Sequence, residues 1–162
     1  MEDINILKHI PLFSGFKTTE LMNVSMVAKR VVVPRGELIV REGAKGESFY
    51  IIKQGRVRVC KRGRGGKEHV LAYLEAGEYF GEVSLVDHQP RSASVYADTE
   101  TELLIIKASD FNNLISANKE LERKFFKAFS YVLCERLRAA NENLTFSQEI
   151  NQMIREMEKG EK

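Results

Sequence analysis

A chain of 162 residues, 43% hydrophobic and 30% charged, holds material for one packed core and little room for a second full domain. Its 25 Lys and Arg against 23 Asp and Glu leave a net charge of +2, which makes no electrostatic case for nucleic acid or an anionic membrane. No apolar run approaches the ~20 residues of a spanning helix, and the start MEDINILKHI is acidic where a secretory signal is basic, so no membrane is expected and the expected location is the cytoplasm. Cys60 and Cys134 fit no metal spacing and read as buried small hydrophobes, and His9, His69 and His88 form no ligand pattern, so no metal is expected.

Residues 1–30 read as a helical segment, with Thr18 or Thr19 placed to cap a helix carrying Leu21, Val24, Met26 and Val27. From residue 31 the pattern changes to short apolar or alternating runs at 31–33, 38–40, 49–52, 57–60, 70–74, 94–97 and 103–106. Many short strands separated by glycines predict a mainly β unit over 31–108, a sandwich or roll. The run Lys61-Arg62-Gly63-Arg64-Gly65-Gly66-Lys67 reads as the solvated tip of a hairpin.

Residues 109–162 return to helical spacing. Ser109 opens a short helix with Phe111, Leu114 and Ile115 on one face, and Asn118 is placed to cap a longer one. In the longer helix Leu121, Phe125, Phe129, Val132, Leu133, Leu137, Ala140 and Leu144 recur every three or four residues. Thr145 with Gln148 resembles a capping box, which predicts a second helix carrying Ile150, Met153, Ile154 and Met157 before a frayed tail. The long stripe predicts a homodimer through that helix, or a protein partner in its place.

One segment departs from ordinary strand and turn, Gly77-Glu78-Tyr79-Phe80-Gly81-Glu82-Val83-Ser84-Leu85-Val86-Asp87-His88-Gln89-Pro90-Arg91-Ser92-Ala93. Gly81 permits close backbone approach to a ligand, and a short turn from Glu82 would present main-chain N–H groups to an anion. Arg91, after the rigid Pro90, offers a planar fork matched to phosphate oxygens. Glu82 beside an anion needs a neutral donor, and a sugar hydroxyl supplies one. Phosphate with ribose points to a nucleotide.

The run F-G-E-V-S-L, a short loop and P-R-S-A resembles the phosphate-binding cassette of the cyclic nucleotide-binding domain family, of the catabolite-activator and protein kinase A regulatory-subunit type. Gly46 to Gly55 resembles the family's strand-and-glycine signature, and Pro11-Leu12-Phe13 its N-terminal segment; the likeness runs over residues 10 to 141. The resemblance implies a double-stranded β-helix, a jelly-roll-like β-roll with N-terminal helices and C-terminal hinge and lid helices, and a cassette at 80–93. It implies that the N–H groups of Gly81 and Ser84 and the side chains of Arg91 and Ser92 hold the phosphate, that Glu82 holds the ribose 2′-OH, and that Val83 and Ala93 complete the cassette. Aligning the long helix through Glu135-Arg136-Leu137 puts Ala140 and Asn141 at the base, where Asn141 can donate and accept and Ala140 cannot.

The expected function is a stand-alone regulatory sensor, not an enzyme, that binds cyclic AMP and signals by moving its C-terminal helices. Cyclic GMP is the alternative ligand, since the Ser92 hydroxyl does not discriminate between the two. Two other readings are a degenerate module that binds only proteins and a transcription regulator lacking its helix-turn-helix. Direct DNA binding is not expected, because only some twenty residues follow Asn141.

Overall fold

The computed structural model describes residues 2–160, without the side chains of residues 84, 154 and 157–160. Helix α1 (Glu2–His9), a 3-10 turn (Pro11–Phe13) and α2 (Thr18–Val27) come first. Strands β1 (Ala28–Val33), β2 (Leu38–Val40), β3 (Ser48–Gln54), β4 (Arg56–Arg62), β5 (Glu68–Glu75), β6 (Tyr79–Phe80), β7 (Ser94–Ala97) and β8 (Thr101–Lys107) follow, with a 3-10 turn (Val83–Leu85) between β6 and β7. Helices α3 (Ala108–Ser116) and α4 (Lys119–Gly160) close the chain. The β unit thus starts three residues earlier than its apolar run predicts, and the basic run at 61–67 caps the β4–β5 hairpin.

The strands form two antiparallel four-stranded sheets in the orders β1-β8-β3-β6 and β2-β7-β4-β5. Their sequences record how each is covered. The central strands of the first sheet, β3 and β8, are buried on both faces: Phe49, Ile51, Leu104 and Ile106 pack against the helices, while Ile52 and Leu103 pack with Val40, Val57, Phe80 and Val95 of the opposing sheet and β6. Strand β3 therefore reads as an unbroken apolar run, as strands covered on both sides do. In β4, by contrast, Val57 is buried while Arg56 faces solvent, the alternation of a strand covered on one side.

Helices and sheet meet in an aromatic cluster in which Phe13 lies 6.2 Å from Phe49 and 6.0 Å from Phe111, and Phe111 lies 4.8 Å from Phe125. Asn118 caps α4 as the sequence predicts, its Oδ1 accepting from the N–H groups of Glu120 and Leu121. At α2 the predicted threonine cap is replaced by a bond from the Lys17 N–H to the Glu20 carboxylate at 2.6 Å.

Two further expectations are corrected. The chain does not break near Thr145, and α4 runs unbroken for 42 residues. No Gly or Pro stands between 119 and 159, and the Thr145 hydroxyl donates to the carbonyl of Asn141 four residues back at 3.0 Å, so it completes a helical turn instead of starting one. Cys60 is buried as expected, but Cys134 is exposed, since it stands two residues past the buried Val132 and off the covered face. The expected contribution of Ile154 and Met157 lies outside the described side chains.

Gly55 joins β3 to β4 at φ +91°, and a Cβ there would stand 2.3 Å from the Glu100 carbonyl. Gly55→Ala is expected to cost about 2 to 3 kcal/mol. Urea unfolding checks this, and an unchanged midpoint would contradict the packing described.

Candidate functional site

The predicted cassette begins where β6 ends. Gly81 takes φ +78°, and a Cβ added there would lie 2.5 Å from Arg91 Nη1 and 3.0 Å from the Ser48 carbonyl. Beyond permitting close backbone approach to a ligand, the missing side chain makes room for the guanidinium. Glu82 then leads into the 3-10 turn, whose Leu85 is buried in the same cluster as Phe111 of α3. The Asn112 side chain donates to the Leu85 carbonyl at 3.3 Å, tying α3 to this turn a second time.

Arg91 is fixed at both ends. Its backbone N–H donates to Ala44 O at 2.8 Å and its carbonyl accepts from Gly43 N at 2.9 Å. Its side chain is buried: Nη2 donates to Ser48 O at 2.5 Å, Nη1 to Gly81 O at 3.3 Å, and the guanidinium carbon lies 5.6 Å from the Tyr50 ring centre. A buried guanidinium needs such partners, and the Ser48 and Gly81 carbonyls are two of them.

Glu82 is 1% exposed. Its Oε1 accepts from Nη1 of Arg136, which reaches down from α4 and lies over the Tyr79 ring at 5.6 Å. Burial pushes the Glu82 carboxyl above the usual carboxylate range, and the Arg136 charge opposes that shift only in part.

Gly81, Glu82, Val83, Arg91, Ser92, Ala93 and Arg136 line one cavity of about 380 Å³, whose apolar wall includes Val40, Val59, Leu74, Phe80 and Val95. That volume suits a small organic ligand. The Ser84 side chain lies outside the described residues. Asn141 sits on the exposed stretch of α4 and is not among the residues that line the cavity. Arg136 is the residue that sequence reasoning did not single out. It stands four residues after the buried Val132, and a cation at that step on a covered helix face is a signal that could have found it. Among the described residues, no three His, Cys, Asp or Glu side chains are grouped to hold a metal ion.

Residues 30–118 match the profile of a family described as Cyclic nucleotide-binding domain. The chain is 38% identical over 109 residues to the Cyclic AMP receptor protein of Thermus thermophilus, an overlap of 67% of this chain and 50% of that protein. It is 32% identical over 124 residues to a cGMP-dependent protein kinase of Drosophila melanogaster, covering 75% of this chain and 13% of the kinase. The chain thus spans at most about half the length of these relatives. The solved Catabolite Activator Protein of Thermus thermophilus superposes with a TM-score of 0.74 at 34% identity, covering 84% of this chain and 62% of that one. On its profile, its two-sheet fold and these relatives, the chain belongs to the cyclic nucleotide-binding domain family.

Proposed function

We propose that the cavity receives the ribose-phosphate of a cyclic nucleotide, cyclic AMP in preference to cyclic GMP, and that the chain is a cytoplasmic regulatory sensor whose output runs through α4. The observation that carries this is the pairing in one cavity of a buried guanidinium, Arg91, with a buried carboxylate, Glu82. The first suits a cyclic phosphate and the second a sugar hydroxyl, so a phosphate and a ribose bind side by side. Cyclic AMP is favoured because Arg91-Ser92-Ala93 resembles the catabolite-activator cassette and because the relative named as a cyclic AMP receptor shares 38% of its residues over the overlap.

The same geometry supports a coupling to α4. Arg136 belongs to α4 and donates to Glu82, the group assigned to the ribose. A hydroxyl bound at Glu82 enters the environment of that ion pair, so ligand and helix position affect each other's free energy. Leu85 and Asn112 form a second link, between the cassette and α3. Output then needs a surface on α4. Leu133, Leu137 and Leu144 are exposed at heptad-like steps on a face turned away from the buried Leu121, Phe125 and Val132, and we assign them to a homodimer seam.

Calorimetry with both nucleotides tests the ligand: cyclic AMP is expected to bind more tightly, and absence of binding by either would contradict the proposal. Arg91→Ala is expected to cost about 2 to 5 kcal/mol of nucleotide binding, by leaving a phosphate charge without its partner. Glu82→Ala should cost less, about 1 to 3 kcal/mol, since one neutral hydroxyl loses its acceptor. If neither substitution changes affinity, the pocket is wrongly assigned.

The raised Glu82 carboxyl also sets a pH dependence. The folded state holds this proton more tightly than the unfolded chain, so the associated stability is present below the ordinary glutamate value and is lost as pH rises through the raised one. Glu82→Gln is therefore expected to raise the thermal midpoint at pH 7 relative to the parent, with the gain shrinking toward pH 4. A gain that grows on acidification would contradict this. Light scattering at micromolar concentration should report a dimer that Leu137→Asp with Leu144→Asp converts to monomer, and a parent that is monomeric throughout would remove the seam.

A further inference from the structure

The cassette loop is a wall between two cavities. Asp87 and Gln89 line the cavity that holds Arg91, whereas His88, between them, lines a second cavity of about 430 Å³ on the other side. The cause is local: His88 takes φ +53°, in the left-handed region that non-glycine residues seldom occupy. His88 thus lines the second cavity while its two neighbours line the first.

The second cavity gathers two lysines and a histidine from three separate elements. Lys45 comes from the loop before β3, His88 from the cassette loop and Lys107 from the end of β8, with the Ser109 hydroxyl and the Asn112 amide beside them. Glu47 is the one carboxylate in the lining and is paired with Lys45 at 2.8 Å. Lys107 makes no ion pair within 4 Å among the described residues. With Glu47 offsetting one lysine, the lining carries the charge of the other in excess, and the Ser109 and Asn112 side chains add neutral hydrogen-bonding groups to it. A phosphate monoester matches both properties: two negative charges and several acceptor oxygens in a small volume.

We propose that this cavity is a second ligand site, taking a small free phosphate-bearing dianion held by Lys45, His88 and Lys107. The site stands apart from the nucleotide cavity and does not depend on that cavity's assignment. Its position gives occupancy a consequence. Ser48 lines the second cavity, and its carbonyl accepts from Arg91 in the first. Asn112 lines it as well and bonds to Leu85. An anion bound there would draw together the loop before β3, the cassette and the start of α3.

Inorganic phosphate is the probe, added at ionic strength matched with chloride. At about ten times its dissociation constant it should raise the thermal midpoint by about 4 °C. The shift should persist in Arg91→Ala and vanish in the double variant Lys45→Gln with Lys107→Gln. Amide NMR of the parent chain gives a readout that needs no variant: phosphate should move the resonances of Lys45, His88, Lys107 and Ser109. No shift in the parent, a shift kept by the double variant, or resonance changes confined to Gly81, Glu82 and Ser92 would overturn the proposal. Glycerol phosphate should reproduce the effect. Sedimentation of the chain with phosphatidic acid vesicles, without any response to glycerol phosphate, would overturn the assignment to a free ligand.

Discussion

The site depends on a guanidinium held in place by main-chain carbonyls. Arg91 is 8% exposed, and a cation so far from water needs fixed partners. The Ser48 and Gly81 carbonyls are among the groups that orient it. The rest of the local structure follows from that need. Gly81 lacks a Cβ where one would strike Nη1, and the loop at 43–44 is bonded to both backbone groups of Arg91. The second buried charge, Glu82, is held by a side chain of the long helix. Its partner is a true counter-ion, Arg136, and that partner belongs to a different part of the chain.

This asymmetry suits a proposed sensor. An anion-binding group that sits on the scaffold gives affinity, and a carboxylate shared with α4 gives communication. The helix concerned is long, about 63 Å at the usual rise per residue. Its first four turns pack into the aromatic cluster through Leu121, Phe125 and Val132, and Arg136 marks the point where it crosses the cavity. A small rotation at that point would be carried along an unbroken rod, because no glycine or proline interrupts it before residue 160.

Much of this was legible in the sequence, and the failures have physical causes. The seven apolar runs of the β unit all became strands, five of them because they carry a buried face that leaves a pattern, while those in β1 and β5 are apolar yet largely exposed. Strand β6 was not read, since two residues make no period. The cassette was legible because its residue types are constrained by backbone as well as by chemistry: glycine at a positive φ, arginine after proline. Thr145 and Gln148 misled because a capping pattern within a helix has another outlet, the carbonyl of Asn141. The likeness of the long helix, aligned through Glu135-Arg136-Leu137, points to Ala140 and Asn141 and not to Arg136. Its pairing with Glu82 joins positions 54 residues apart, which no local pattern reports.

The central claim is that Arg91 grips the phosphate of a cyclic nucleotide. Side-chain NMR of arginine-labelled protein during a cyclic AMP titration tests it most directly. The Arg91 guanidinium resonances are expected to shift and saturate together with the heat of binding. Saturation of binding with the Arg91 signals unmoved, while other arginines respond, would contradict it.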